Sequence, residues 1–273
     1  MRSIRGNIYV DSQPWLKGFM GFDWFPSDES KMRAQRYEEW IQYLINKISI
    51  PATGFWILSA INAARSLKVV ISPWIPDPEA TKEQNATGLP YVKPENYRTA
   101  SPVDKPSKPV DLDHLADLEK KSNLGLAGGS SATVYITPWW YGKPHPNEPA
   151  LEADELLHHE LTHAMNSVQG VLRLTGRSAG EFDTLDEFCA ITLTNMYSAQ
   201  TGRRLRRDHH GHAYLPPNLC ISANFYQKYS EECNAVNKYH PDLVKIYKYW
   251  DSDKSFLPFN PFGTATTQTL PDM

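Results

Sequence analysis

The chemistry of this chain is concentrated in the segment Leu156-Leu157-His158-His159-Glu160-Leu161-Thr162-His163-Ala164-Met165. Two histidines four residues apart, His159 and His163, stand one above the other on one face of a 3.6-residue helix. Their ring nitrogens can then reach a single divalent ion at ~2.0–2.1 Å, the usual zinc–nitrogen distance. Glu160 projects beside that face. There it is placed to act as base toward a water whose pKa zinc lowers to ~7.

The context agrees with a helix. Leu157, Leu161, Ala164, Met165 and Val168 recur at spacings of three and four. Pro149 lies near the expected start, Glu152, Asp154 and Glu155 load the first turns with negative charge, and Gly170 is an end signal. His-Glu-x-x-His on a helix is a zinc-peptidase arrangement. An amphipathic helix whose histidines face water is the bland alternative.

A catalytic zinc needs a third protein ligand and an open fourth position. The candidates fall in Glu181-Phe182-Asp183-Thr184-Leu185-Asp186-Glu187-Phe188-Cys189-Ala190. Glu187 is preferred because it opens a helical apolar run; Asp183 and Asp186 are the alternatives. The set is then His159, His163 and Glu187 around one catalytic Zn2+. Glu187 can also be read as an acidic residue favoured at its helix N-terminus. Asp186 can instead hydrogen-bond a ligating imidazole from behind.

A second cluster, Arg203-Arg204-Leu205-Arg206-Arg207-Asp208-His209-His210-Gly211-His212-Ala213-Tyr214, offers donors for the oxyanion of a tetrahedral intermediate. His210, His212 and Tyr214 are the candidates, set against a solvated basic turn. The four arginines suit an acidic substrate segment, or simply a charged helix end. His114, His145, His158 and His240 have no partner pattern and read as structural or surface residues; His158 points about 100° away from the metal face.

These groups have to be positioned by a small set of elements. Tyr37, Trp40, Ile41, Leu44, Ile45 and Ile48 predict a helix from about Ser30 to Ile48, ended by Ile50-Pro51-Ala52-Thr53-Gly54. A short helix follows through Phe55, Leu58, Ile61 and Ala64. Lys68 to Ser72 and Ser131 to Thr137 read as strands. The second is expected to be an exposed edge near the metal, able to pair with an extended peptide. Trp139, Trp140 and Tyr141 line an adjacent subsite or anchor a loop. Residues 1–28 show no clear period. Eight prolines between Pro73 and Pro109 predict loop over 73–112. Further helices are expected from Thr184 or Leu185 to Ser198 and from Asn234 to Trp250.

Composition sets outer bounds. The 273 residues carry 28 basic and 31 acidic side chains, a net charge of −3, so no global basic field draws the chain to nucleic acid or anionic lipid. Aromatic residues make up 12%, which favours a packed body over disorder. Cys189, Cys220 and Cys233 are too few and scattered for a disulfide framework or a cysteine zinc site. No apolar run is long enough to span a bilayer, and the start lacks the apolar run of a signal peptide.

Four segments, taken in order, resemble a known family. They are Ile50-Pro51-Ala52-Thr53-Gly54-Phe55-Trp56-Ile57-Leu58, the strand from Val69 to Ser72, the His159–His163 motif, and Asp186-Glu187-Phe188-Cys189-Ala190. The family is the bacterial effector zinc metallopeptidases, including NleD-like effectors and peptidase domains fused to type VI secretion tail-spike (VgrG) proteins. The latter are closer, through His158 to Asn166 and Asp208-His209-His210-Gly211. The resemblance covers about residues 35 to 225. It implies a zincin fold, an effector or toxin role, and delivery by a secretion apparatus or a larger fusion protein to a host cell or a bacterial periplasm. A cognate immunity protein belongs to the same picture. By matching position it supports His159 and His163 as ligands, Glu160 as base and Glu187 as third ligand.

The expected architecture is a single α+β domain over 1–273. It has a small twisted mixed sheet, an active-site helix, a mostly helical C-terminal half, a core over about 30–225 and a helical extension over 226–262. The expected activity is zinc-dependent hydrolysis of a protein or peptide substrate. The alternatives are a zinc hydrolase of cell-wall or other amides, and a binding module with a vestigial metal site.

Overall fold

The computed structural model describes residues 1–16, 27–64, 66–74, 90–101, 127–137, 152–174, 182–208, 213–250 and 257–263. Two short strands, β1 (Arg2–Arg5) and β2 (Ile8–Val10), open the chain as a hairpin and are followed by the single turn α1 (Gln13–Leu16). The sequence reading found no period here. The alternation is present, with Ile8 and Val10 buried on either side of Tyr9, but it lasts only three residues.

Helix α2 (Asp28–Ile48) starts where Ser27 caps it, its hydroxyl accepting the Ser30 N–H at 3.1 Å. Ala34, Tyr37, Ile41, Leu44, Ile45 and Ile48 form its buried stripe. Helix α3 (Ala52–Ala63) begins right after Pro51, three residues earlier than the apolar spacing implied, and includes Gly54. A Cβ at Gly54 would lie 2.0 Å from the Ile48 carbonyl oxygen. Only glycine lets α3 turn this tightly against the end of α2.

Strand β3 (Val69–Ser72) pairs in parallel with β2 on one side and with β5 (Ala132–Tyr135) on the other. Strand β4 (Tyr91–Pro94) pairs antiparallel with β5, Tyr91 opposite Tyr135 with rings stacked at 4.7 Å. The sheet is mixed, five strands in the order β1-β2-β3-β5-β4. This corrects two expectations. The Ser131–Thr137 strand is interior, between β3 and β4, and among the described residues the outer strands are β1 and β4. The expected 73–112 loop contains β4 and the turn α4 (Tyr97–Ala100), capped by Asn96, whose Oδ1 accepts the Arg98 and Thr99 N–H groups. The physical reason is that proline is tolerated on an edge strand, where no ladder donor is required of it. Residues 75–89 and 102–126 lie outside the described residues.

Helices α5 (Ala153–Val168) and α6 (Leu185–Gln200) carry both halves of the motif and pack against each other. Helix α5 also lies against β4, β5, α2 and α3, so every residue from Asp154 to Val168 is buried. Gly170, at φ +71°, takes the left-handed conformation that ends it. The chain then runs through a 3-10 turn (Pro217–Cys220), α7 (Ser222–Lys228), α8 (Ser230–Tyr239) and α9 (Pro241–Trp250). The single helix expected over 234–250 is therefore two, broken at Pro241, which has no N–H to continue the ladder. Phe225, Tyr229, Val236, Tyr247, Phe259 and Phe262 belong to the same apolar cluster as Ile8, Ile41 and Val134. The C-terminal helices complete that core and are not an appendage to it. No disulfide links Cys189, Cys220 and Cys233. Among the described residues no single helix is long and apolar enough to cross a membrane.

At the N-terminal end of α5, Asp154 is 1% exposed. Its carboxylate accepts from Lys47 Nζ at 2.9 Å and from Tyr197 Oη at 2.6 Å, and pairs with Arg203 Nη1 at 2.9 Å. Burial raises its pKa, but hydrogen bonds from Arg203, Lys47 and Tyr197 outweigh that and hold it below the ordinary 3.8. Its stabilising contribution is therefore fully present above pH 3.8 and is lost as pH falls below that value. Asp154→Ala takes a partner from Tyr197, from the part-exposed Lys47 and from Arg203, which keeps Glu155, and is expected to cost about 1–3 kcal/mol in urea unfolding; a variant as stable as the parent would refute this role.

His240 is 5% exposed, its Nδ1 donating to Gln169 Oε1 at 2.8 Å, and burial pushes its pKa from 6.5 down to about 4. It is neutral in the folded chain. Stability is complete above pH 6.5 and falls between 6.5 and 4, where only the unfolded chain takes the proton. In His240→Gln the stability–pH slope in that window should be shallower by up to about 1.4 kcal/mol per pH unit. An unchanged slope in denaturation curves would contradict it.

Candidate metal centre

Helices α5 and α6 run antiparallel: Asp154 and Glu155 meet Tyr197 and Ser198 at one end, and His163 and Asn166 meet Asp186 at the other. The end holding Asp186 is set by Thr184, whose hydroxyl accepts the Glu187 N–H at 3.0 Å and caps α6. This puts Asp186 and Glu187 in the first turn, where the exposed N–H groups favour carboxylates. Both readings of Glu187, as helix-end acid and as ligand candidate, are thus compatible.

His159, His163 and Glu187 converge. The two Nε2 atoms are 3.0 Å apart; one Glu187 oxygen is 3.3 Å from His159 Nε2 and the other is 3.5 Å from His163 Nε2. In a tetrahedral site with ~2.0–2.1 Å bonds, ligand atoms lie about 3.3 Å from one another. The group therefore has the spacing, donor types and burial to hold one divalent ion. Glu187, at 25% side-chain exposure, is its most open member.

The electrostatics point the same way. His163 Nδ1 lies 2.5 Å from Asp186 Oδ2, so in the neutral ring the proton sits on Nδ1 and the Nε2 lone pair faces His159. Two ring nitrogens 3.0 Å apart need a proton or a cation between their lone pairs. Burial pushes the His163 pKa down, but the charges of Glu187 and Asp186, the Asp186 hydrogen bond and the charge of Glu160 override it and carry it from 6.5 to about 10.

Glu160 is 4% exposed, and helical geometry turns it about 100° from His159. Asp186, an alternative third ligand, instead holds the far nitrogen of His163, as the second reading of that residue had it. Asp183 precedes the cap residue and is not among the converging atoms. His158 is fully buried, stacked on Tyr197 at 4.7 Å with Nδ1 3.2 Å from Thr194 Oγ1. Its role is structural, and burial followed by the neighbouring His159 charge lowers its pKa to about 3.

Tyr214 is not brought to the histidine pair. Its ring lies 3.6 Å beneath the Arg204 guanidinium, and its backbone bridges Arg206, which is tied to Asn195. It lines a cavity with Ala199, Arg203 and Phe259, and Ala199 lies twelve residues, about 18 Å, along α6 from Glu187. The oxyanion role expected for it is corrected on that ground. Of the expected acid-binding arginines, Arg203 pairs with Asp154 and Glu155, and Arg207 with Asp208. His210, His212, Trp139, Trp140, Tyr141, His114 and His145 lie outside the described residues.

Asn166 was not singled out from the sequence as a site residue, yet its Nδ2 donates to Asp186 Oδ1 at 2.5 Å. Its position three residues after His163, hence on the same helix face, is the signal that points to it. Comparisons with protein-family profiles, with curated proteins and with solved structures give no match to this chain.

If the three converging side chains bind an ion, purified parent protein takes up zinc at near one equivalent, and Glu187→Ala and His163→Ala each lose most of it in elemental analysis. Retention of full zinc by both variants would exclude this group.

Proposed function

We propose that the chain is a zinc-dependent endopeptidase of the zincin type. The observation that carries this reading is the convergence of His159, His163 and Glu187, with Glu160 next to the first of them on α5. An ion held by His159 Nε2, His163 Nε2 and Glu187 would supply Lewis acidity toward a water and a scissile carbonyl.

The residues' own parts follow. Asp186 accepts the Nδ1 proton of His163 and keeps Nε2 available as a ligand. Glu160, with its carboxylate in a largely dry site, removes a proton from the attacking water and delivers it to the departing amine nitrogen. Burial of His159, His163 and Glu160 keeps bulk water from screening these charges.

A peptide substrate is favoured over other amides by the sheet. Among the described residues β4 is the outer strand that packs on α5, and its main chain can pair with an extended segment. An effector role, with delivery by a secretion apparatus or a larger fusion protein and restraint by an immunity protein, rests on the motif order alone and belongs to the same proposal.

Glu160→Gln is expected to keep the zinc while lowering peptide hydrolysis by at least about 10²–10⁴-fold. Parent protein that cleaves peptides no faster than this variant would refute the mechanism. Cleavage of peptidoglycan amides with no cleavage of proteins would move the substrate class to the cell wall.

A further inference from the structure

The support for His163 does not stop at Asp186. Asn166, one helical turn beyond His163 on α5 and 2% exposed, donates from Nδ2 to Asp186 Oδ1, while Asp186 Oδ2 serves His163 Nδ1. Because a carboxylate only accepts, the contact with Asp186 settles which way the amide points. Its Oδ1 has no hydrogen-bond partner among the described residues. Asn166 also borders a cavity of about 10 Å³, shared with Asp186, Cys189, Tyr239 and His240, with room for about one water.

An amide placed here only to fill space would be a poor choice. A leucine would remove the amide's own unpartnered oxygen, but it would also take the donor from the buried Asp186 Oδ1. The donor must therefore serve something, and what it serves is a carboxylate otherwise free to rotate. We propose that Asn166 is a positioning residue for the metal group and acts through Asp186. By holding Oδ1 it fixes the carboxylate plane, presents Oδ2 to His163 Nδ1–H, and so selects the tautomer whose Nε2 lone pair faces His159 and Glu187. This rests on reading that group as a metal site. It also makes the layer beneath the site, with Cys189 of α6 and Tyr239 and His240 at the end of α8, part of its support.

The test uses the full chain and zinc alone, with affinity measured by competition against a chromogenic chelator and geometry read from the visible spectrum of the cobalt-substituted protein. Asn166→Leu is expected to bind zinc about 10–100-fold more weakly, with altered cobalt bands, while the zinc-free variant still unfolds in a single cooperative transition. Asn166→Ala, which cannot overpack, is read alongside and should weaken zinc binding in the same range. In an Asp186→Ala background, Asn166→Leu should cause no further loss, because the residue through which it acts is gone.

Zinc affinity within twofold of the parent in both single variants overturns the assignment. So does an equal added loss in the Asp186→Ala background. Parent protein that takes up no zinc overturns the metal reading, and the positioning role with it; parent that binds zinc beside unaffected Asn166 variants overturns the positioning role alone.

Discussion

A helix buried on every side has to find partners for its polar side chains within the protein, and α5 is such a helix. From Asp154 to Val168 all its residues are buried, among them Asp154, Glu155, His158, His159, Glu160, Thr162, His163, Asn166 and Ser167. Leaving such groups without partners in a dry interior costs far more than making their hydrogen bonds gains. The partners come mainly from α6, rung by rung: Tyr197 for Asp154, Ser198 for Glu155, Thr194 for His158, Glu187 for His159, Asp186 for His163 and Asn166. The antiparallel packing of two helices is thus specified by polar complementarity as much as by apolar fit.

The two ends of this ladder do different things. At the Asp154 end, acids meet cations from α2 and from the segment after α6, so the charges cancel. At the Asp186 end, three carboxylates, Glu160, Asp186 and Glu187, surround two histidines, and they hold a proton on His163 well above its ordinary range. The excess negative charge is what a cation site requires, and it is localised by Thr184, the cap that places two acids in one turn of α6. The sheet supplies the wall. Its parallel centre buries Val69, Ile71, Ala132 and Val134, while the antiparallel β4 leaves a main-chain edge on the outside.

Much of the site is legible in the residues because its spacing is local. His159 and His163 share a helix face by the period of the helix, and Glu187 lies at the start of the next strongly apolar helix. The long helices are legible for the same reason: Tyr37 to Ile48, Leu157 to Val168 and Phe188 to Tyr197 each repeat over about three turns. Elements of three or four residues carry too little pattern, so β1, β2 and β4 were invisible, and the prolines around β4 masked it further. The split at His240–Pro241 shows the opposite error, an apolar period followed through a residue that cannot continue the ladder.

The sequence by itself determined the local facts: which residues share a helix face, roughly where the long helices lie, and which side chains are chemically able to bind a divalent ion or move a proton. Tertiary structure alone decided that Asp186 stands behind His163 and Glu187 in front of it, that Tyr214 packs under Arg204 away from the histidines, and that β4 and not β5 forms the outer strand. Those outcomes depend on how α6 is rotated against α5 and on which strand reaches β5 last. Both are settled by packing between residues distant in the chain, where helical and strand periods carry no information.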